Sequence, residues 1–384
     1  MSRNLVLCLD GTANEFKKDR TNVLNLAFAA VKDPNRQLLY YHPGVGTMAP
    51  SSVFTRFGQG VARIAGLAFG YGLEADLGCA YSFLIDQYQP GDQVFLFGFS
   101  RGAYTARALA ALINRYGLLA PGNTALVPYA IRLLWRWHVA KNENDKAKWF
   151  SLSEQFKQTL SVGDCPIHFL GVWDTVSSVG WVANPMSLPD TARLPNVSIV
   201  RHAVSIDERR AFFRTNLVDK THGEDRAEVW FPGVHCDVGG GYSEATSGLS
   251  KIALEWMLTE AELAGLALDP GRLENILGYN GSPLTPPTPG AEVHQSLTPA
   301  WWLAEFVVKK HYNWLKHRYE RRPNLFRRRH FGPNPCIHES AWDQSVDYTA
   351  RFPTDAWRRD RPPLAAKLLD DPVQHDDTRR RTGA

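Results

Sequence analysis

Asp92-Gln-Val-Phe-Leu-Phe-Gly-Phe-Ser-Arg-Gly-Ala-Tyr-Thr-Ala-Arg107 decides how the rest of this 384-residue chain is read. Val94 to Phe97 form a short continuous run of apolar residues rich in β-branched and aromatic side chains, which suits a parallel strand covered on both faces. Ala103 to Leu112 supplies Ala, Leu and Arg, all strong helix formers. Between the two stands Gly98-Phe-Ser-Arg-Gly102, where the glycines remove side chains that would clash if the serine were forced into a sharp turn. Ser100 is therefore the candidate nucleophile, and the amide of Arg101, at the start of the helix, is a candidate donor to a developing oxyanion. The pentapeptide alone is common; the strand before it and the helix after it carry the signal.

Working outward, Leu5 to Leu9 reads as a first strand ending in Asp10-Gly-Thr12, before a helix that Thr21 or Asn22 could cap. Gln37 to His42 reads as a second strand, followed by a Gly-, Pro- and Ser-rich loop through about Gly60. A helix over roughly Gly70 to Tyr88 leads to the nucleophile strand. After the Pro121-Gly122 break, residues up to about 165 read as a helical insertion, with Leu133, Trp137, Trp149 and Phe156 as apolar anchors, expected to form a cap over the site. Ile167 to Trp173 is the next buried strand and ends at Asp174; Ala227 to Phe231 is another and runs into Gly233-Val-His-Cys-Asp-Val-Gly-Gly-Gly-Tyr242. Alternating strands and helices predict a three-layer α/β sandwich with a mostly parallel central sheet, whose ligands bind at the C-terminal strand ends. Ser100, Asp174 and His235 lie at three such ends, in the order serine, acid, histidine expected of an α/β-hydrolase-like fold.

The chemistry explains why these residue types belong together. A serine hydroxyl is a weak nucleophile near neutral pH and needs an imidazole to take its proton, while a carboxylate holds that imidazole in the right tautomer. His235 follows its strand directly and precedes a glycine run that lets the loop fold back; His338 is the competing histidine. Asp174 ends an apolar strand, where an unpartnered carboxylate would be costly. Asp207 and Asp237 are the alternatives, but Asp207 is expected in an ion-pair network with Arg209 and Arg210, and Asp237 is only two residues from His235. The backbone of Gly11 or Thr12 is the expected second oxyanion donor, since that loop follows the strand neighbouring the nucleophile strand. No metal-binding spacing is present and the chemistry calls for no cofactor.

Hydrophobic content of 44% and charged content of 21% are those of an ordinary globular protein, and a net charge of +4 gives no ground for a nucleic-acid partner. Five cysteines without a C-x-x-C pair read as reduced thiols of a cytosol. The N-terminal apolar run ends in Asp10 and lacks a small-residue cleavage site, so the chain is expected to be made in the cytoplasm, and any delivery outward would do without a signal peptide. No stretch approaches the ~18–20 apolar residues of a transmembrane helix. Residues 1–277 read as the catalytic domain, 278–298 as a Pro-rich linker, and 299–384 as an aromatic, basic C-terminal extension whose last ~20 residues are expected to be poorly ordered or loosely docked. Within it, Thr298, Pro299 and Pro323 punctuate a helix expected from Pro299 to about Arg322. Trp301, Ala304, Val308, Tyr312, Leu315 and Tyr319 would form its apolar stripe, with basic residues suited to peripheral contact with a membrane on its remaining surface.

Asp10-Gly-Thr12, Gly98-Phe-Ser-Arg-Gly-Ala103, Val172-Trp-Asp-Thr-Val176, Ile206-Asp-Glu-Arg-Arg210 and Gly233-Val-His-Cys-Asp-Val-Gly-Gly-Gly-Tyr242 together resemble the motif set of the uncharacterised α/β-hydrolase domain family that includes the type VI secretion phospholipase effectors. The resemblance runs from about residue 3 to 265. It implies a Ser100-Asp174-His235 triad, hydrolysis of carboxylic esters with phospholipid as the substrate class of the effector branch, and a secretion-apparatus or immunity partner. The insertion and the residues after 278 lie outside the resemblance. A contrasting expectation is a non-catalytic interaction module that keeps the fold, with the Pro-rich and aromatic segments as its working parts.

Overall fold

The computed structural model describes residues 2–11, 19–44, 67–140, 142–176, 180–181, 184–185, 191–211, 213–219, 225–313 and 318–359. Eight short, largely apolar segments become strands of one sheet: β1 (Asn4–Leu9), β2 (Gln37–His42), β3 (Gln93–Phe99), β4 (Ile167–Trp173), β5 (Val197–Ser205), β6 (Asp225–Phe231), β7 (Cys336–His338) and β8 (Trp357–Arg359). Their spatial order is β8-β7-β6-β5-β4-β3-β1-β2, and every neighbouring pair is parallel.

A parallel sheet needs cover on both faces, and alternate residues of each strand supply two cores. Leu5, Leu7, Leu9, Val94 and Leu96 face helices α2 (Leu67–Gln87), α3 (Arg101–Tyr116) and α4 (Val127–Val139). Val6, Cys8, Phe95, Phe97 and Trp173 face α1 (Asn22–Ala29), with α7 (Gly248–Leu263) and α8 (Pro270–Ile276) beside it. From β1 the chain steps to one side to form β2 and then returns to form β3 on the other. The C-terminal ends of β1 and β3 thus flank the point where strand order reverses, where a doubly wound sheet opens a crevice.

The structure corrects two expectations, for the Pro-rich stretch and for the helix after Pro299. The helical insertion is present as α4 and α5 (Glu143–Leu160), closed by a short ladder between Leu118–Leu119 and Ser161–Gly163. It packs on α2, where Val127 and Ile131 flank Gly78, and on α3, where Tyr116 Oη lies 3.1 Å from Ser153 Oγ and Arg115 pairs with Glu154 at 3.0 Å. The insertion thus thickens the helical layer on that face of the sheet.

The Pro-rich stretch is docked rather than free: Thr285 N–H and Oγ bond Glu244, and Thr288 N–H bonds Gly248 O at 3.1 Å. Beyond it the chain returns to the sheet as β7 and β8, and Ile337 and Ala341 join Val204, Ile206 and Trp230 in a third apolar cluster.

The helix expected from Pro299 to Arg322 stops at Glu305 as α9 (Pro299–Glu305). An antiparallel hairpin follows, Lys309–Asn313 with Arg318–Arg322, in which Tyr312 stands opposite Tyr319. Glu305 ends the helix because its fully buried carboxylate accepts from Ala211 N–H and Phe326 N–H, at 2.6 and 3.0 Å, while its carbonyl accepts from Asn324 N–H. The loop expected through Gly60, the chain's last residues, and Thr12 and Leu315 lie outside the described residues. All five cysteines are free thiols. Among the described residues no helix is long and apolar enough to cross a membrane.

Candidate active site

At the end of β3 the backbone of Ser100 takes φ 59° and ψ −115°, a region an L-residue enters only under constraint. The constraint is visible in the two flanking glycines. A Cβ on Gly102 would stand 2.0 Å from Leu9 O, and one on Gly98 would stand 2.5 Å from Gly102 O. The first turn of α3 is thus pressed against the end of β1, and only glycine fits either position. Ser100 N–H bonds Trp173 O at 3.0 Å, which fastens the turn to the end of β4, immediately before Asp174.

Three strand ends converge here. Ser100 Oγ lies 2.8 Å from His235 Nε2, and His235 Nδ1 lies 2.5 Å from Asp174 Oδ2. With Nδ1–H donating to the carboxylate, Nε2 is left to accept the serine proton. His235 opens the short helix α6 (His235–Gly239) directly after β6, and its ring is held between Phe99 and Phe213, with centroids at 4.6 and 4.8 Å. Gly239, the last residue of α6, lets that helix press on the Phe99 ring, since a Cβ there would overlap it. Asp174 is itself at φ 42°, pinned by its own N–H to Ala203 O and by Ser205 N–H to its Oδ1, at 2.7 and 2.9 Å. The chain just beyond it is fixed by Thr175 N–H donating to His202 Nε2, whose Nδ1 lies 2.9 Å from Glu228.

Two charged partners surround this constellation, and neither was expected. Arg329 lays its guanidinium against Asp174, Nη1 on Oδ1 and Nη2 on Oδ2, the latter at 3.0 Å; its side chain is 5% exposed. Glu208 accepts His235 N–H at 3.3 Å and is itself paired with Arg210 at 2.8 Å. Burial alone would raise the Asp174 pKa, but the Arg329 charge and the His235 hydrogen bond hold it well below the usual carboxylate range. Burial would also raise Glu208, which Arg210 instead holds at about 2. Burial pushes the His235 imidazole below its ordinary value, with Asp174 working against that shift and Arg210 with it.

The other candidates are placed elsewhere. Asp207 accepts from Gly233 N–H and the Tyr348 hydroxyl and pairs with Arg351 at 3.0 Å; the network expected for it with Arg210 belongs to Glu208. Asp237 accepts from Val234 N–H and pairs with His294 at 2.6 Å. His338 is buried in β7, stacked on Phe231, with Nδ1 2.9 Å from Ser340 Oγ.

Arg101 opens α3, so its amide belongs to the helix's first turn beside Ser100. Gly11 N–H, by contrast, donates to Asp10 Oδ1 at 2.7 Å, which takes it out of the role expected for it in this arrangement of the loop. Asp10 Oδ2 in turn accepts from the hydroxyls of Thr21 and Tyr41, at 2.6 and 2.9 Å. Among the described residues, no group of three or more His, Cys, Asp or Glu side chains is placed to hold a metal ion.

Arg329 escaped the sequence reading because it sits in the run Arg327-Arg-Arg329, which reads as a solvated basic surface. Glu208 carried a fainter signal, an acid inside the quoted Ile206-Asp-Glu-Arg-Arg210 motif.

Comparison with known proteins adds a family to this geometry. The family model described as T6SS phospholipase effector Tle1-like, catalytic domain, matches residues 3–260. That match takes in Ser100, Asp174 and His235 and stops short of Arg329. An uncharacterized protein of Saccharomyces cerevisiae is 36% identical over 219 residues, covering 55% of this chain and 32% of its own, so the chain spans about a third of that relative. Among solved structures, an uncharacterized protein from Pseudomonas aeruginosa aligns with a TM-score of 0.39 at 21% identity, over 71% of this chain and 47% of that one. A Tle1 effector bound to the VgrG spike of the type 6 secretion system aligns with a TM-score of 0.37 at 16% identity, over 72% of this chain and 62% of that one.

Proposed function

Because the chain belongs to the Tle1-like catalytic-domain family of type VI secretion phospholipase effectors, we propose that it is a serine hydrolase that cleaves carboxylic esters, phospholipids foremost. The observation that carries the reading is the continuous relay from Ser100 Oγ through both nitrogens of His235 to Asp174, at 2.8 and 2.5 Å.

In this reaction Ser100 Oγ gives its proton to His235 Nε2 as it attacks the ester carbonyl carbon. The tetrahedral oxyanion is met by the Arg101 N–H at the start of α3, where the helix's positive end favours negative charge. Collapse expels the alcohol, which takes the proton from His235 and leaves an acyl group on Ser100. Water repeats the sequence, with His235 again as base, and releases the acid. Asp174 stays ionised throughout, and the lowered pKa of buried His235 supports a neutral, proton-accepting imidazole at neutral pH. Membership of an effector family also supports a lipid substrate met outside the producing cell and a partner in the secretion apparatus.

The test is labelling by a fluorophosphonate probe together with mass spectrometry of products released from phospholipid vesicles. Labelling confined to Ser100, and loss of both labelling and lipid hydrolysis in Ser100→Ala, are the expected results. A Ser100→Ala protein that keeps more than about a hundredth of wild-type hydrolysis sinks the assignment.

A further inference from the structure

We propose that Arg329 is a positioning residue of the catalytic site: lying outside the stretch that defines the family, it holds Asp174 in place and sets the charge state of His235. The inference rests on the hydrolase reading for its catalytic meaning, but its geometry stands independently. Both terminal nitrogens of Arg329 bond both oxygens of Asp174. Its remaining hydrogen-bonding capacity is spent on the same neighbourhood: Nη1 also donates to Ser205 Oγ at 2.7 Å, and Nε and Nη2 donate to Phe213 O at 3.2 and 2.5 Å. Phe213 is the residue whose ring packs on His235, so one guanidinium fixes both the acid and a wall of the imidazole slot.

The charges decide what this does. The charged groups that act directly on His235 or Asp174 are Glu208 and Arg210 from the loop after β5 and Arg329; beyond them, Asp237 reaches Cys236 and is paired with His294, and Arg214 faces Arg329 with Glu305 beside it. Two carboxylates and two guanidiniums balance, so the buried site is neutral when the imidazole is neutral. Without Arg329 the same site would carry a net negative charge, and the nearest way to cancel it is a proton on His235. An imidazolium cannot accept the proton of Ser100. Asp174 Oδ2 serves Arg329 and His235 together, so the arginine also limits how strongly the carboxylate draws a proton onto the ring. A guanidinium does this better than an ammonium because its planar fork matches both oxygens at once.

The experiment measures two things in the full chain. The first is the imidazole titration of His235 by nitrogen NMR, assigned by comparison with His235→Gln; the second is the pH dependence of fluorophosphonate labelling. In Arg329→Gln the His235 midpoint is expected to rise by about one pH unit or more, because an opposite charge is lost beside its partner. The acid limb of labelling should move upward by the same amount. Arg329→Lys keeps the charge and loses the fork, so its midpoint should stay near wild type while labelling slows about tenfold. A folded Arg329→Gln protein with an unmoved His235 midpoint overturns the proposal, whatever happens to its rate. Should Arg329→Gln fail to fold, Arg329→Lys decides, and an unaltered labelling rate in that variant overturns the positioning role. If wild-type protein does not label at Ser100, the hydrolase reading falls while the titration still decides the role of Arg329.

Discussion

At the level of single residues, Asp174 has two clients, and replacing it separates them. Asp174→Asn keeps the size of the side chain but removes the charge that holds His235 in its tautomer, so turnover is expected to fall by about a thousandfold or more with little change in KM. The same change leaves the buried Arg329 without its counter-ion, and denaturant unfolding should show a loss of about 3–5 kcal/mol. Glu208 gives a second test, through pH. Its folded-state pKa of about 2 lies below the ordinary 4.5, so its contribution to stability is full above the ordinary value and is lost as pH falls toward about 2. Asp174 acts in the same direction, whereas Asp207 and Asp237, raised by burial, act oppositely. The wild-type melting temperature is expected to drop between about pH 5 and pH 2.5, and Glu208→Gln to flatten that drop; parallel curves would remove Glu208 from the account. Ser100, Asp174 and His235 could be read from the sequence because each ends an apolar strand, and strand ends converge whatever joins them. Arg329 could not, because its partner lies 155 positions away and nothing local distinguishes it from its two arginine neighbours.

Among the elements, the elbow separates two reasons for glycine. At Gly102 the obstacle is space, since a Cβ would meet the backbone of β1, which cannot give way as a side chain could. At Gly241 the obstacle is backbone conformation alone: φ is +104° and nothing lies within 4 Å of the added carbon. Gly102→Ala is expected to cost at least about 2–3 kcal/mol and to move Ser100, and Gly241→Ala only about 1 kcal/mol, both by urea denaturation. Equal costs would mean that the contact between α3 and β1 relaxes easily. The central strands could be read from the sequence for the reason this contact exists: buried parallel strands must be apolar throughout. The segment after Pro299 misled because its apolar residues recur at three and four positions while Tyr312 and Tyr319 also serve as a cross-strand pair. What chose between the two patterns is the burial of Glu305, whose partners Ala211, Asn324 and Phe326 are remote in sequence or beyond the turn.

For the whole molecule, the family match ends at residue 260, yet the sheet and the site continue past it. Strand β7 covers the outer edge of β6, the strand that delivers His235, and β8 covers β7. Ile337 and Ala341 share a buried cluster with Trp230 of β6 and Val204 of β5. A chain cut after residue 277 would therefore expose an apolar strand edge, uncover Trp230 and remove Arg329 from Asp174 in a single step. Such a chain is expected to aggregate or to bind a hydrophobic dye without a cooperative melt, and not to label at Ser100. A chain cut after Arg359 keeps every described contact of the sheet and the site, and should melt and label like the full chain. The pair of cuts distinguishes a catalytic domain with an appendage from a fold that closes only with its C-terminal strands. A soluble, cooperatively melting 1–277 chain with full labelling would establish the first. Because the same segment carries both the last strands and the guanidinium on Asp174, the second makes assembly of the sheet a precondition for the complete site: the Ser100 turn is held by β1 and β4 and the Asp174 backbone by β5, but the Asp174 carboxylate gains its Arg329 partner only once the far edge has closed.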